Sequence, residues 1–341
     1  MRRAIPLVLA LVAALLVAPG TAHAIPAAGV GHGYHYDNTT LGVDYVGATY
    51  YLRDPLRGNT RTTDCTTQQV IGSATSSFGT RNPADIRTVA ADVHYVLGQF
   101  WDYYKVNHAR SGILNNGTGA AACVRMSTTN RVYRNGSQFV VESASSGGLP
   151  LDLLAHELVH AVTEAMIGLG VSGESGALNE STSDIFGTLV EFGAAHPADP
   201  PDYTEGERTG TVFHYLYNPG LDGYSDTCWS TLTASHPPFQ GSGVGNHAFF
   251  ALAEGTGVTP YGTSPVCAGA PAVTGIGRAT AGKIWYRALN YYLTSSATYR
   301  TTRTGTLAAA ADLYGRCSVE HKAVRASWVA VGVPGTDAAC P

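Results

Sequence analysis

The chain has 341 residues, a formal charge of −4 and only 13% Asp, Glu, Lys and Arg, against about 25% in an ordinary soluble domain. So weak and balanced a charge supplies no field for a phosphate backbone, which excludes nucleic acid as an expected partner. The 40 Gly and 19 Tyr, with many Ser and Thr, predict a neutral, hydrogen-bond-rich surface, and the length leaves room for a large core or two lobes.

At the start, Arg2 and Arg3 precede a mostly apolar run over residues 4–17, and Ala22-His23-Ala24 offers a small-x-small cleavage site. Residues 1–24 therefore read as a secretory signal peptide. No later stretch reaches about 18 apolar residues, so a secreted, extracellular protein without a membrane partner is expected. Residues 25–87 mix short β-like runs, such as 46–52, with turn signals at Asp37-Asn38 and Arg57-Gly58-Asn59-Thr60. Residues 85–106 carry Ile86, Val89, Val93, Val96, Leu97, Phe100 and Tyr104 at helical spacing. Short strands return over 124–141, and one near Phe139-Val140-Val141 is expected to lie along a cleft, where it can bond an extended peptide.

After Gly147-Gly148 the pattern turns helical, with helices expected over 151–167, 178–193, about 243–255, 277–293, 304–315 and 318–330. The expected fold is α+β with two lobes: a β-rich N-terminal lobe over 25–150, a mainly α-helical C-terminal lobe over 151–341, and a cleft at their junction. The six cysteines suit an oxidising compartment and allow fifteen pairings. Proximity in sequence favours Cys317–Cys340 and Cys228–Cys267, leaving Cys65–Cys123.

The chemistry concentrates in His156-Glu157-Leu158-Val159-His160. Two histidines four positions apart on a helix turn through about 400° and sit roughly 6 Å apart along its axis, on one face. That spacing suits two corners of a zinc site, and Glu157 stands beside the metal as a general base for its water. Leu151, Leu154, Leu158 and Val162 make the helix apolar, so it is expected in a core, where unpaired imidazoles would be costly. On the next helix Glu180 is placed as the third ligand, and Asp184, one turn on, as the acceptor that fixes the tautomer of a ligand histidine.

At these residues the chain resembles the thermolysin-like zinc peptidases. The resemblance is carried by His156-Glu157-Leu158-Val159-His160-Ala161-Val162-Thr163, by Glu174-Ser175-Gly176-Ala177-Leu178-Asn179-Glu180 and by Ser183-Asp184-Ile185-Phe186-Gly187. It extends upstream through Tyr51-Leu52-Arg53-Asp54 and Asn135-Gly136-Ser137-Gln138, and downstream through Gly275-Ile276-Gly277-Arg278 and Lys283-Ile284-Trp285-Tyr286. It implies a monomeric endopeptidase acting on peptide or protein substrates, with a large apolar residue after the cut. It also implies Ca²⁺ beside Zn²⁺, at Asp152, Glu191, Asp202 and Glu207, whose carboxylates are suitably hard ligands.

The resemblance breaks where oxyanion donors belong. The family's tyrosine position falls on Val171, its arginine on His214, its asparagine on Arg131 or Asn130, its histidine on Phe239 and that histidine's carboxylate partner on Ala234. His236, three residues before Phe239, is the candidate catalytic substitute, with His214 and Arg131 as further ones. The expected function is a secreted zinc endopeptidase with Glu157 as base. The alternative is a zinc- and calcium-binding pseudo-peptidase, acting as a binding protein or very slow hydrolase. With the mature-like residues following the leader directly, the long pro-segment usual in that family is not expected here.

Overall fold

The structure, a computed structural model, describes residues 24–144, 147–338 and 340. The leader read over 1–24 lies outside these residues, apart from Ala24. Ten strands make the first half of the chain: β1 Ile25–His32, β2 Asp37–Val46, β3 Thr49–Tyr51, β4 Arg53–Asp54, β5 Thr60–Asp64, β6 Gly72–Ser73, β7 Ser77–Phe78, β8 Ala121–Met126, β9 Arg131–Asn135 and β10 Gln138–Ser143. They form two five-stranded sheets, ordered β6-β3-β2-β1-β7 and β4-β5-β8-β10-β9. The run expected over 46–52 is two strands. Gly47 and Ala48 both take left-handed φ, of 55° and 71°, and fold β3 back on β2 in register Val46 to Thr49, as tight hairpins require.

Phe139, Val140 and Val141 are buried in β10, which pairs in parallel with β8 and antiparallel with β9. The edges of this sheet are β4 and β9, and β9 lies within the 124–141 segment read as short strands. Helix α1, Ile86–His108, starts on an Asp85 side chain that accepts the Arg87 N–H, and buries Val89, Val93, Val96, Leu97, Phe100 and Tyr104 as the spacing predicts. It packs on both sheets and on the next two helices.

The second half holds α2 Leu151–Met166, α3 Gly173–Ala194, α4 Pro238–Ala253, α5 Arg278–Tyr291, α6 Tyr299–Tyr314 and α7 Val319–Ala330. Three helices begin about five residues before their apolar pattern does. In α3 the extra turn starts at Ser172 and Gly173. In α4 it starts at Pro238, whose fixed φ suits a first turn. In α6 the Thr298 and Thr301 side chains close a reciprocal capping box. Leu154, Leu158 and Val162 of α2 join Ile185, Phe186 and Leu189 of α3 and Phe249 and Trp285 behind them in one buried cluster. Two short pairs complete the lobe, β11 Thr204–Glu205 with β12 His214–Tyr215 and β13 Gly257–Thr259 with β14 Gly262–Ser264. The bridges Cys65–Cys123, Cys228–Cys267 and Cys317–Cys340 all form. Among the described residues no helix is long and apolar enough to cross a membrane.

Candidate metal centre

Helices α2 and α3 pack against each other and bring His156, His160 and Glu180 together, with one ligand atom from each within 4.8 Å of the others. The two Nε2 atoms lie 3.0 Å apart, and Glu180 Oε2 lies 3.4 Å from each. This oxygen is buried and accepts no hydrogen bond. Two facing imidazole lone pairs beside an unsatisfied carboxylate oxygen are what a zinc ion would complete, so the donor set fits the metal. His160 Nδ1 contacts Asn179 Oδ1 at 3.2 Å and Ser183 Oγ at 3.1 Å, which holds its Nε2 toward the ion. His156 Nδ1 lies 2.7 Å from Asp184 Oδ1.

Asp184 is the hub behind the ligands. It is fully buried, and its Oδ2 takes His214 Nδ1 at 2.8 Å and an N–H of Asn246 at 2.7 Å. Burial pushes its carboxyl up, but His214 and His156 outweigh this and hold it well below the usual range. Burial likewise opposes ionisation of Glu180, whereas the imidazoles of His156 and His160 beside it bring it down to about 2. His156 moves the other way: desolvation lowers it, and the contacts with Asp184 and Glu180 raise it well above an ordinary imidazole.

In the ion-free state His156 thus keeps its proton to higher pH than a free imidazole, and zinc must displace that proton. Zinc affinity is expected to rise about one log unit per pH unit up to that raised pKa, and to be lost as pH falls. Asp184→Asn removes the charge behind His156 and is expected to weaken zinc about 10- to 100-fold. Competition with a chelating dye at two pH values checks both; an unchanged affinity in the variant contradicts the role.

Glu157 shares a cavity of about 470 Å³ with His156, Asp184, Glu205, His214, Asn130, Arg131 and Phe239. Burial raises its carboxyl, against the opposing pull of the two histidines, which suits a base working near neutral pH. His214, buried beneath Phe239, is the imidazole in this wall. His236 is not. Its Nδ1 is held at 2.8 Å by Asp226 in its own loop, so the dyad forms outside the cavity lining.

The acidic group also differs from expectation. Glu191, Asp199 and Glu207 place oxygens within 4.8 Å of one another, with Asp152 buried close by and bonded to the Gly206 N–H through Oδ2. Asp152 Oδ1 and both Glu191 oxygens are buried without partners. Burial and the neighbouring carboxylates push Glu191 up to about 11, Glu207 to about 8 and Asp152 to about 6. Four crowded carboxyls with orphaned oxygens fit a divalent cation. Asp202 Oδ1 accepts the N–H and hydroxyl of Thr204, and its charge acts on Glu191, Asp199 and Glu207 from beside the cluster. Asp199 was hidden in sequence by the intervening Pro200-Pro201, and the buried Glu205 carried no spacing signal at all. Asn179 was legible in principle, since it adjoins Glu180.

Two family models match the chain in tandem: thermolysin metallopeptidase, catalytic domain, over residues 28–164, and thermolysin metallopeptidase, alpha-helical domain, over 168–333. The chain is similar to the transglutaminase-activating metalloprotease of Streptomyces mobaraensis, 35% identical over 323 residues and covering 89% of this chain and 42% of that one. A bacillolysin of Bacillus cereus is 36% identical over 324 residues, covering 89% and 55%. A thermolysin of Alicyclobacillus acidocaldarius is 37% identical over 332 residues, covering 89% and 57%. The chain spans about half the length of the curated relatives it matches. Among solved structures, the precursor of protealysin, a metalloproteinase from Serratia proteamaculans, shares the fold with a TM-score of 0.56 over 80% of this chain and 85% of that one, at 24% identity.

Proposed function

From the premise that this chain belongs to the thermolysin metallopeptidase family, we propose that it is a secreted, monomeric zinc endopeptidase, with lobes 25–150 and 151–341 flanking the cleft. The observation that carries this reading is Glu157 in one cavity with His156, a member of a triad with His160 and Glu180 whose ligand atoms lie within 4.8 Å of one another. His156, His160 and Glu180 would hold the ion, and a bound zinc supplies a Lewis acid that polarises a carbonyl and lowers the pKa of water. Glu157 takes the proton of the attacking water and returns it to the leaving amine. Strand β9 offers its free edge to an extended peptide, with Asn130, Arg131 and Val132 at the cavity wall. Three disulfides and the leader-like segment support secretion. The orphaned oxygens at Asp152 and Glu191 support a bound Ca²⁺, with Asp199 and Glu207.

The developing oxyanion needs donors in the cavity. His214 meets that need better than His236, because Asp184 holds its Nδ1 and leaves Nε2 for the cavity. His214→Ala is expected to lower kcat about 10²–10³-fold with zinc retained, and His236→Ala less than about tenfold. The reverse order would return the role to the His236–Asp226 dyad.

The test of the whole reading is cleavage of casein by the purified mature protein, abolished by a zinc chelator and restored by one equivalent of zinc. A protein that binds zinc stoichiometrically and cleaves nothing in a broad peptide library is the pseudo-peptidase instead.

A further inference from the structure

The turn between β1 and β2 reaches far from its own sheet. Asp92 of α1 anchors it by accepting the backbone N–H groups of Tyr34, His35 and Tyr36 at 2.8, 3.0 and 3.0 Å. Gly33 permits this approach, since a Cβ there would sit 1.7 Å from the Asp92 carboxylate. His35 Nε2 meets the Gly148 carbonyl at 2.8 Å, and Arg208 donates from one guanidinium nitrogen to the His35 carbonyl and from the other to that of Ala198. The turn is therefore fixed to α1, to the segment leading into α2 and to the acidic loop at once.

Tyr36 sits at the centre of this clamp, 1% exposed. Its hydroxyl accepts the Leu151 N–H at 2.8 Å and donates to Asp199 Oδ2 at 2.7 Å. Leu151 is the first residue of α2, and the residue before it, Pro150, gives that helix no side-chain cap. A helix start needs such an acceptor for its unpaired N–H groups. Here it comes from a phenol 115 residues away, and the same phenol is bonded to a carboxylate of the acidic cluster.

We propose that Tyr36 is a positioning residue that transmits occupancy of the acidic cation site to the first turn of the metal-binding helix, a role that rests on the calcium reading above. A cation drawn in by Asp199 fixes the carboxylate to which the hydroxyl donates. That fixes the oxygen accepting the Leu151 N–H. With the cation removed, mutual repulsion of the carboxylates loosens Asp199, and the helix start loosens with it.

The test compares the mature protein with Tyr36→Phe, which loses one oxygen and keeps the ring. Both are stripped of calcium and titrated with Ca²⁺ alone, and two quantities are read: the calcium midpoint and hydrogen exchange of the Leu151 amide. In the wild type, saturation is expected to slow Leu151 exchange at least tenfold. In Tyr36→Phe the midpoint is expected to weaken about fivefold, the lower end of ordinary coupling between two sites, with Leu151 exchange fast and indifferent to calcium. A wild-type response of Leu151 in the variant overturns the coupling alone. Failure of the wild type to bind Ca²⁺ overturns the calcium reading and the coupling together. Should Tyr36→Phe not fold, Asp199→Ala removes the acceptor of the Tyr36 hydroxyl and, at Ca²⁺ shown to saturate that variant, must leave Leu151 exchange insensitive to the cation; a retained response there also overturns the coupling.

Discussion

Glu157→Gln is expected to keep zinc bound and to lose at least about three orders of magnitude in peptide hydrolysis, near the upper range for removing a general base. Glutamine preserves the volume of the side chain and its place in the cavity with His156 and His214, so packing and metal content should not change. What it cannot do is accept a proton. The environment is arranged for that one task, since burial raises the carboxyl above its ordinary range while the adjacent imidazoles oppose the rise. The measurement is kcat/KM on casein or a furylacryloyl dipeptide, with zinc content and Tm determined on the same sample. Retained turnover with the metal present would remove Glu157 from the mechanism.

Withdrawal of calcium is expected to lower Tm by on the order of 10 °C near pH 8, and by much less near pH 5. The fall follows from linkage: a ligand held at about a thousand times its Kd contributes about 4 kcal/mol, and each kcal/mol shifts Tm by about 2–4 °C in a chain of this size. The pH dependence follows from the raised carboxyls. Without the cation, Glu191, Glu207 and Asp152 titrate at about 11, 8 and 6, all above their ordinary values near 4. Between those limits the folded, ion-free state binds more protons than the unfolded chain, so its stability declines as pH rises. A bound cation offsets the repulsion, and its contribution grows with pH. Scanning calorimetry of the Glu157→Gln protein, which cannot digest itself, checks this. A calcium effect that is equal at both pH values, or larger in acid, would argue against the carboxylate cluster as the site.

The cluster of His156, His160 and Glu180 was legible because its determinants are local. His156, Glu157 and His160 follow helical spacing on one apolar helix, and Glu180 and Asp184 repeat it on the next. The pairing of cysteines was legible for a similar reason, with separations of 23 and 39 residues for two bridges. Boundaries were less so: α3, α4 and α6 each gain a turn from capping or small residues that carry no apolar signal. The oxyanion side was legible only as a set of alternatives, His236, His214 and Arg131, with no signal to choose among them. His236 stood near the expected position in the chain, yet Asp226, ten residues back, keeps it in its own loop, whereas His214 reaches the cavity by pairing β12 with β11 and by its bond to Asp184. Tyr36 lay beyond reach for the same physical reason, since its partners are 115 and 163 residues distant.

These separations also set an order of assembly. Closing a loop costs more entropy the longer it is, and contacts close in sequence form soonest. The His156–His160, His160–Asn179 and His160–Ser183 contacts span only 4, 19 and 23 residues, so a helical hairpin of α2 and α3 can gather His156, His160 and Glu180 early. The turn at Tyr36 must wait for the acidic loop to be made. Maturation of the cleft therefore ends with the N-terminal hairpin locking onto a ligand cradle already in place, and truncating that hairpin should slow the last folding step more than the first.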